Sequence, residues 1–139
     1  LPEELVPHIV KLAVNSVSCA ASFTQMAAVA ALEGPKDEVE AMIAEFGIRR
    51  RLIADGLRSI PGVNCPEPEG AFYAFPSIKG TGLTSAEFED RAMNQAGVAL
   101  LSGSAFGEFG EGYVRLSYAN SQDNIKQAID KLDKMVRAI

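Results

Sequence analysis

The stretch GEGYVRLSYA, residues 110–119, sets one arginine inside a run that otherwise reads as a buried strand. If residues 113 to 118 are extended, successive side chains alternate, so Val114, Leu116 and Tyr118 share one face and Tyr113, Arg115 and Ser117 the other. Arginine does not shed its charge on burial, so within a strand it needs an acidic partner. That partner is a carboxylate from elsewhere in the chain or one carried by a ligand. The local pattern suits both, because a guanidinium fork matches any carboxylate. Val114 and Leu116 supply packing against helices, which puts Arg115 on the less covered face of a sheet.

Working outward, the glycine-rich loop SGSAFGEFGEG, residues 102–112, leads into this strand, and VALL at 98–101 before it reads as a fully buried strand. TSAE at 84–87 is a capping box, with Thr84 as cap and Glu87 reaching back, and Gly97 closes that helix. GAFYAFPSI at 70–78 is aromatic-rich and extended, and VNCPEP at 63–68 fits a short edge strand whose prolines donate nothing to a ladder. Beyond the arginine strand, Ser121 caps a final helix with an apolar stripe of Ile125, Ala128, Ile129, Leu132, Val136 and Ile139.

The first half is helical. Residues Pro2 to Leu32 read as two helices broken near Asn15 to Ser18, with Phe23, Met26, Ala27, Ala30 and Ala31 as an apolar stripe. Gly34 and Pro35 punctuate, and a long helix carries Val39, Met42, Ile43, Phe46, Ile53 and Leu57 until SIPG at 59–62 stops it. The expected fold class is α/β, a small mixed sheet covered by helices on one face.

Composition narrows the function. With 139 residues, 47% of them hydrophobic, one domain with a substantial core is the default. A net charge of -5 argues against a nucleic-acid surface, and the lone basic cluster, Arg49 to Arg51, reads as a solvated helix face. Cys19 and Cys65 are far apart and the only histidine is His8, so neither a metal site nor a disulfide framework is expected, and a reducing cytoplasm fits. The Ala-rich stretch from Leu12 to Leu32 is too polar for a membrane span. Gly103, Gly107, Gly110 and Gly112 fit no dinucleotide or Walker spacing, and SGSAFG is not a nucleophile elbow. Glu67 and Glu69 flank prolines in a turn and read as loop solvation. Arg115 alone survives as a candidate site.

Taken together, PGVNCPEPEGAFYAFP (61–76), GVALLSGSAFGEFGEGYVRLSYA (97–119) and the terminal helix resemble the C-terminal small domain of class I, aspartate aminotransferase-like enzymes. These are fold type I pyridoxal-phosphate enzymes. Residues 20–53 are similar to the helix leading out of the large domain and the long linking helix. The resemblance implies that residues 1–33 belong to or lead out of the large domain and that 34–139 form the small domain. It implies that Arg115 binds the substrate α-carboxylate. The parent is then expected to be a cytoplasmic homodimer that transfers an amino group between an aspartate-like or aromatic amino acid and a 2-oxo acid.

Two local departures from the family pattern are Ser102 before Gly103, where proline is common, and Cys19-Ala20, where Asn-Pro is common. A larger one concerns the cofactor. None of Lys11, Lys36, Lys79, Lys126, Lys131 or Lys134 has the small-residue Ser-Lys setting of a Schiff-base lysine. That lysine and the phosphate-gripping loop are expected before Leu1, which leaves the 139 residues inactive alone. Two other outcomes share the resemblance: a β-lyase using the same arginine, and a non-enzymatic ligand-sensing domain.

Overall fold

Alternation around Arg115 is realised as strand β3, Val114–Ser117, in a computed structural model that describes all 139 residues. Val114, Leu116 and the following Tyr118 are buried, while Arg115 is half-buried and Ser117 exposed. β3 is the middle strand of three, between β1, Tyr73–Ala74, and β2, Leu101–Ser102. Tyr73 pairs with Ser117 and Ala74 with Leu116, and on the other edge Leu101 pairs with Arg115 and Ser102 with Val114. The α/β class stands, and within it both pairings are antiparallel where a mixed sheet was expected.

Two compact units make up the chain, Leu1–Glu38 and Val39–Ile139. In the first, a 3-10 turn at Glu3–Leu5 is followed by α1, Val6–Ser16, and α2, Ser22–Glu33, with the break falling close to the expected Asn15 to Ser18. Neither helix buries a residue, so Phe23 and Met26 of the expected stripe stand exposed.

In the second unit, α3 (Asp37–Ser59, entering from the first), α4 (Ser85–Arg91, prolonged by a π turn at Ala92–Ala96) and α5 (Gln122–Arg137) enclose the core with the inner face of the sheet. That core holds Ile53, Ala54 and Leu57 of α3, Phe88 of α4, Ile125, Leu132, Met135 and Val136 of α5, and Ala74, Val114, Leu116 and Tyr118. Each fully buried aliphatic side chain contributes about 1.5–3 kcal/mol. The long helix buries its stripe only in its second half; Val39, Met42 and Ile43 are exposed. At Gly56 a Cβ would run into the Ile129 side chain, so this glycine lets α3 and α5 approach closely.

Two expected strands are shorter than the sequence suggests. In VNCPEP only Asn64 pairs, exchanging backbone bonds of 2.9 and 2.8 Å with Ser77, since the prolines that follow cannot donate. In VALL the Val98 N–H turns back to the Ala92 carbonyl at 2.8 Å, closing the π turn through Gly97 at φ +64°, so pairing starts only at Leu101. Leu101 is 42% exposed rather than buried, because it shares Arg115's face of the sheet.

Candidate functional site

Arg115 differs from the half-buried Arg49 and Arg50 in what surrounds it. Arg49 pairs with Glu45 at 2.7 Å and Arg50 with Glu67 at 3.2 Å, which also accounts for most of the basic cluster and for one of the two loop carboxylates. Arg115 makes no ion pair and no side-chain hydrogen bond within the chain; its guanidinium carbon instead lies 4.3 Å from the ring centre of Tyr73 and 4.3 Å from that of Phe106. Cations over aromatic faces are attracted by the ring quadrupole, and arginine uses its flat face for this while its N–H groups point outward in the plane.

The rings come from different edges of the sheet. Tyr73 is on β1, and Phe106 belongs to the 3-10 turn Gly103–Phe106 that follows β2. Each has a second ring behind it. Phe72 lies 4.5 Å from Tyr73, and Phe75 lies 6.1 Å from Phe106 and stacks on Tyr113 at 5.6 Å, with Lys79 over the Tyr113 ring.

Helix α4 fixes the loop that carries Phe106. The buried Ser85 hydroxyl accepts the N–H groups of Gly112 and Tyr113 at 2.8 and 3.2 Å and donates to the Gly110 carbonyl at 3.4 Å. Glu111 accepts the Ser85 N–H at 2.9 Å, and Glu89 accepts the Ser102 N–H at 3.1 Å. Both ends of the loop are thus tied to one helix. Its strands cross tightly at Gly103 and Gly110, where a Cβ on either would strike the other's carbonyl. Gly107 adds a φ of +116°, a conformation that favours glycine.

The capping box expected at Thr84 is present, with the Glu87 N–H donating to the Thr84 hydroxyl and the Glu87 carboxylate accepting the Thr84 N–H at 2.9 Å. The Thr84 backbone N–H, and then its hydroxyl, hold the Glu87 carboxyl below the usual carboxylate range. Elsewhere His8 and Cys19 are exposed, while Cys65 is buried and its thiol is pushed up by that burial. No three His, Cys, Asp or Glu side chains come together as a metal site. No helix is long and apolar enough to cross a membrane.

A cleft of about 300 Å³ runs beside α5 between Val98, Asn120, Asn124 and Lys131, and Arg115 does not line it. Chemically, the surface around Arg115 offers a fixed positive charge that lies over two rings and whose N–H groups have no acceptor in the chain. Such a group can take a planar, bidentate anion. The sequence singled out Arg115; it missed Tyr73, although the aromatic richness of GAFYAFP was visible.

Relatives share this segment over nearly all its length. The aspartate aminotransferase of Pyrococcus horikoshii is 38% identical over 135 residues, 96% of this chain and 34% of the relative. A probable N-acetyl-LL-diaminopimelate aminotransferase of Bacillus subtilis is 42% identical over 97% of the chain and 34% of its own length. The crystal structure of an aromatic aminotransferase from Pyrococcus horikoshii superposes with a TM-score of 0.89 at 37% identity, covering 99% of this chain and 37% of that one. The chain therefore spans about a third of the length of the curated relatives it matches. Residues 2–132 match the family model of aminotransferases class I and II, and on that match and these identities the chain belongs to that family.

Proposed function

We propose that the chain is the small-domain part of a pyridoxal-phosphate-dependent aminotransferase in which Arg115 holds the substrate α-carboxylate. The observation that carries this reading is the unpartnered guanidinium of Arg115 on the central strand. A fork on a rigid sheet fixes both the position and the plane of a carboxylate, and so orients the amino group that is to be moved. Relatives named aspartate and aromatic-amino-acid aminotransferase support an aspartate-like or aromatic amino acid as donor and a 2-oxo acid as acceptor.

The cofactor, when bound, supplies the electron sink of the reaction. The side chains described here do not fit it. Lys36 donates to the Ala31 and Leu32 carbonyls, Lys79 lies over Tyr113, Lys126 approaches Asp123, and Arg115 is faced by rings rather than by a phosphate cradle. The reading therefore gives cofactor binding to the rest of the protein, with residues 1–33 leading out of its large domain and 34–139 forming the small one. The exposed apolar side chains of α1 and α2, Ile9, Leu12, Phe23 and Met26 among them, support such a packing role. The parent is read as a cytoplasmic homodimer, and these 139 residues as inactive alone.

The test is Arg115→Ala in the full-length protein. Loss of a charge-assisted contact at this half-buried position should lower kcat/KM for amino acids on the order of a hundredfold or more, with the cofactor absorbance unchanged. Unchanged turnover removes Arg115 from the site.

A further inference from the structure

We infer that Tyr73 and Phe106 are positioning residues for Arg115, forming an aromatic clamp that sets the plane of its guanidinium. The inference rests on the carboxylate reading of Arg115 and deepens it. An arginine side chain has several rotatable bonds, and a bidentate grip is productive only in one plane. Here no side-chain hydrogen bond or ion pair holds the guanidinium: its carbon lies 4.3 Å from each of two ring centres, one ring from β1 and one from beyond β2.

Rings suit this task better than a protein carboxylate would. A carboxylate partner occupies the in-plane N–H groups, which are the ones a substrate needs, and its negative charge offsets the attraction for another anion. An aromatic face attracts the cation from above and leaves the N–H edge free. The rings are themselves held. Phe72 backs Tyr73 at 4.5 Å, Phe75 backs Phe106 at 6.1 Å, and Phe75 stacks on Tyr113 two residues before Arg115. Phe106 is further fixed by its loop, pinched where Gly103 meets Gly110 and tied to α4 through Ser85 and Glu89. The clamp thus leaves the in-plane N–H edge open to an anion that accepts two parallel hydrogen bonds, as a carboxylate does.

Steady-state kinetics on the full-length holoenzyme test this with Tyr73→Leu, Phe106→Leu, Tyr73→Phe, Phe106→Tyr and Arg115→Lys, each checked for a wild-type-like melting temperature. Leucine keeps apolar bulk and removes the π face. Each Leu variant should raise KM for the best amino-acid substrate roughly three- to tenfold with a smaller change in kcat, and the aromatic replacements should restore KM. Leu variants with wild-type KM, or aromatic replacements as impaired as leucine, overturn the clamp while Arg115→Lys still raises KM. If Arg115→Lys itself leaves KM unchanged, the carboxylate reading fails, and the clamp with it.

Discussion

At the scale of single residues, Arg115 was legible because alternation is a local property: Val114 and Leu116 had to face the core, so the arginine between them had to face away. What the sequence left open was its partner, since a carboxylate could have come from anywhere in the chain. Tyr73 lies far from Arg115 in sequence, and only the register that pairs it with Ser117 brings its ring to the guanidinium. No periodicity within one segment encodes a contact between two. Gly103 makes the same point in the backbone, because its need for close approach depends on Gly110 and the Tyr113 carbonyl across the loop. Gly103→Ala should destabilise the protein by about 1–3 kcal/mol through overpacking, read as a lower melting temperature, and should raise KM as Phe106 shifts. A variant with unchanged melting temperature and KM would show that the loop is not pinched in solution.

Helices with local signals were the best-read elements. The capping box at Thr84, the stop at Ser59, the break near Asn15 to Ser18 and the cap at Ser121 all reside in a few neighbouring residues, and all are found. Strands were overextended, because β-propensity marks residues able to pair without saying whether a neighbour is there. Residues 63–68 and 98–100 have the composition of strands and spend their backbone groups on a lone bridge, a turn or nothing in the sheet. Thr84→Ala should cost about 1 kcal/mol by removing the cap of α4, the helix that ties down the Arg115 loop. A melting curve that does not move would remove the capping box from the stability of the protein.

The charged groups on these helices also predict a pH dependence. Glu45 on α3 is held below the usual carboxylate range by its hydrogen bond from Arg49 and then by Gln122 of α5, as Glu87 is by Thr84. A carboxylate with a lowered folded-state pKa stabilises fully above its unfolded value, about 4.3, and that stability is lost as pH falls through the folded value. Glu45→Gln should therefore lower stability modestly at neutral pH and flatten the acid limb below about pH 4, where the two proteins converge as Glu45 protonates. An acid limb identical to that of the wild type would contradict the assignment.

For the whole molecule, the family was legible because motifs from distant segments agree with one another, and the chain's match to the aminotransferase class I and II model runs from residue 2 to 132. What lies against α1 and α2 was less so, since their exposed apolar residues do not say what covers them. The central claim is that Arg115 recognises a carboxylate, and the most direct test sets carboxylate against arginine in a double-mutant cycle. In the full-length holoenzyme, kcat/KM would be measured for an amino-acid substrate and for the amine that lacks only its α-carboxylate, with Arg115 and with Arg115→Ala. The account predicts a strong preference for the amino acid in the wild type that largely disappears in the variant; an equal loss for both substrates would contradict it.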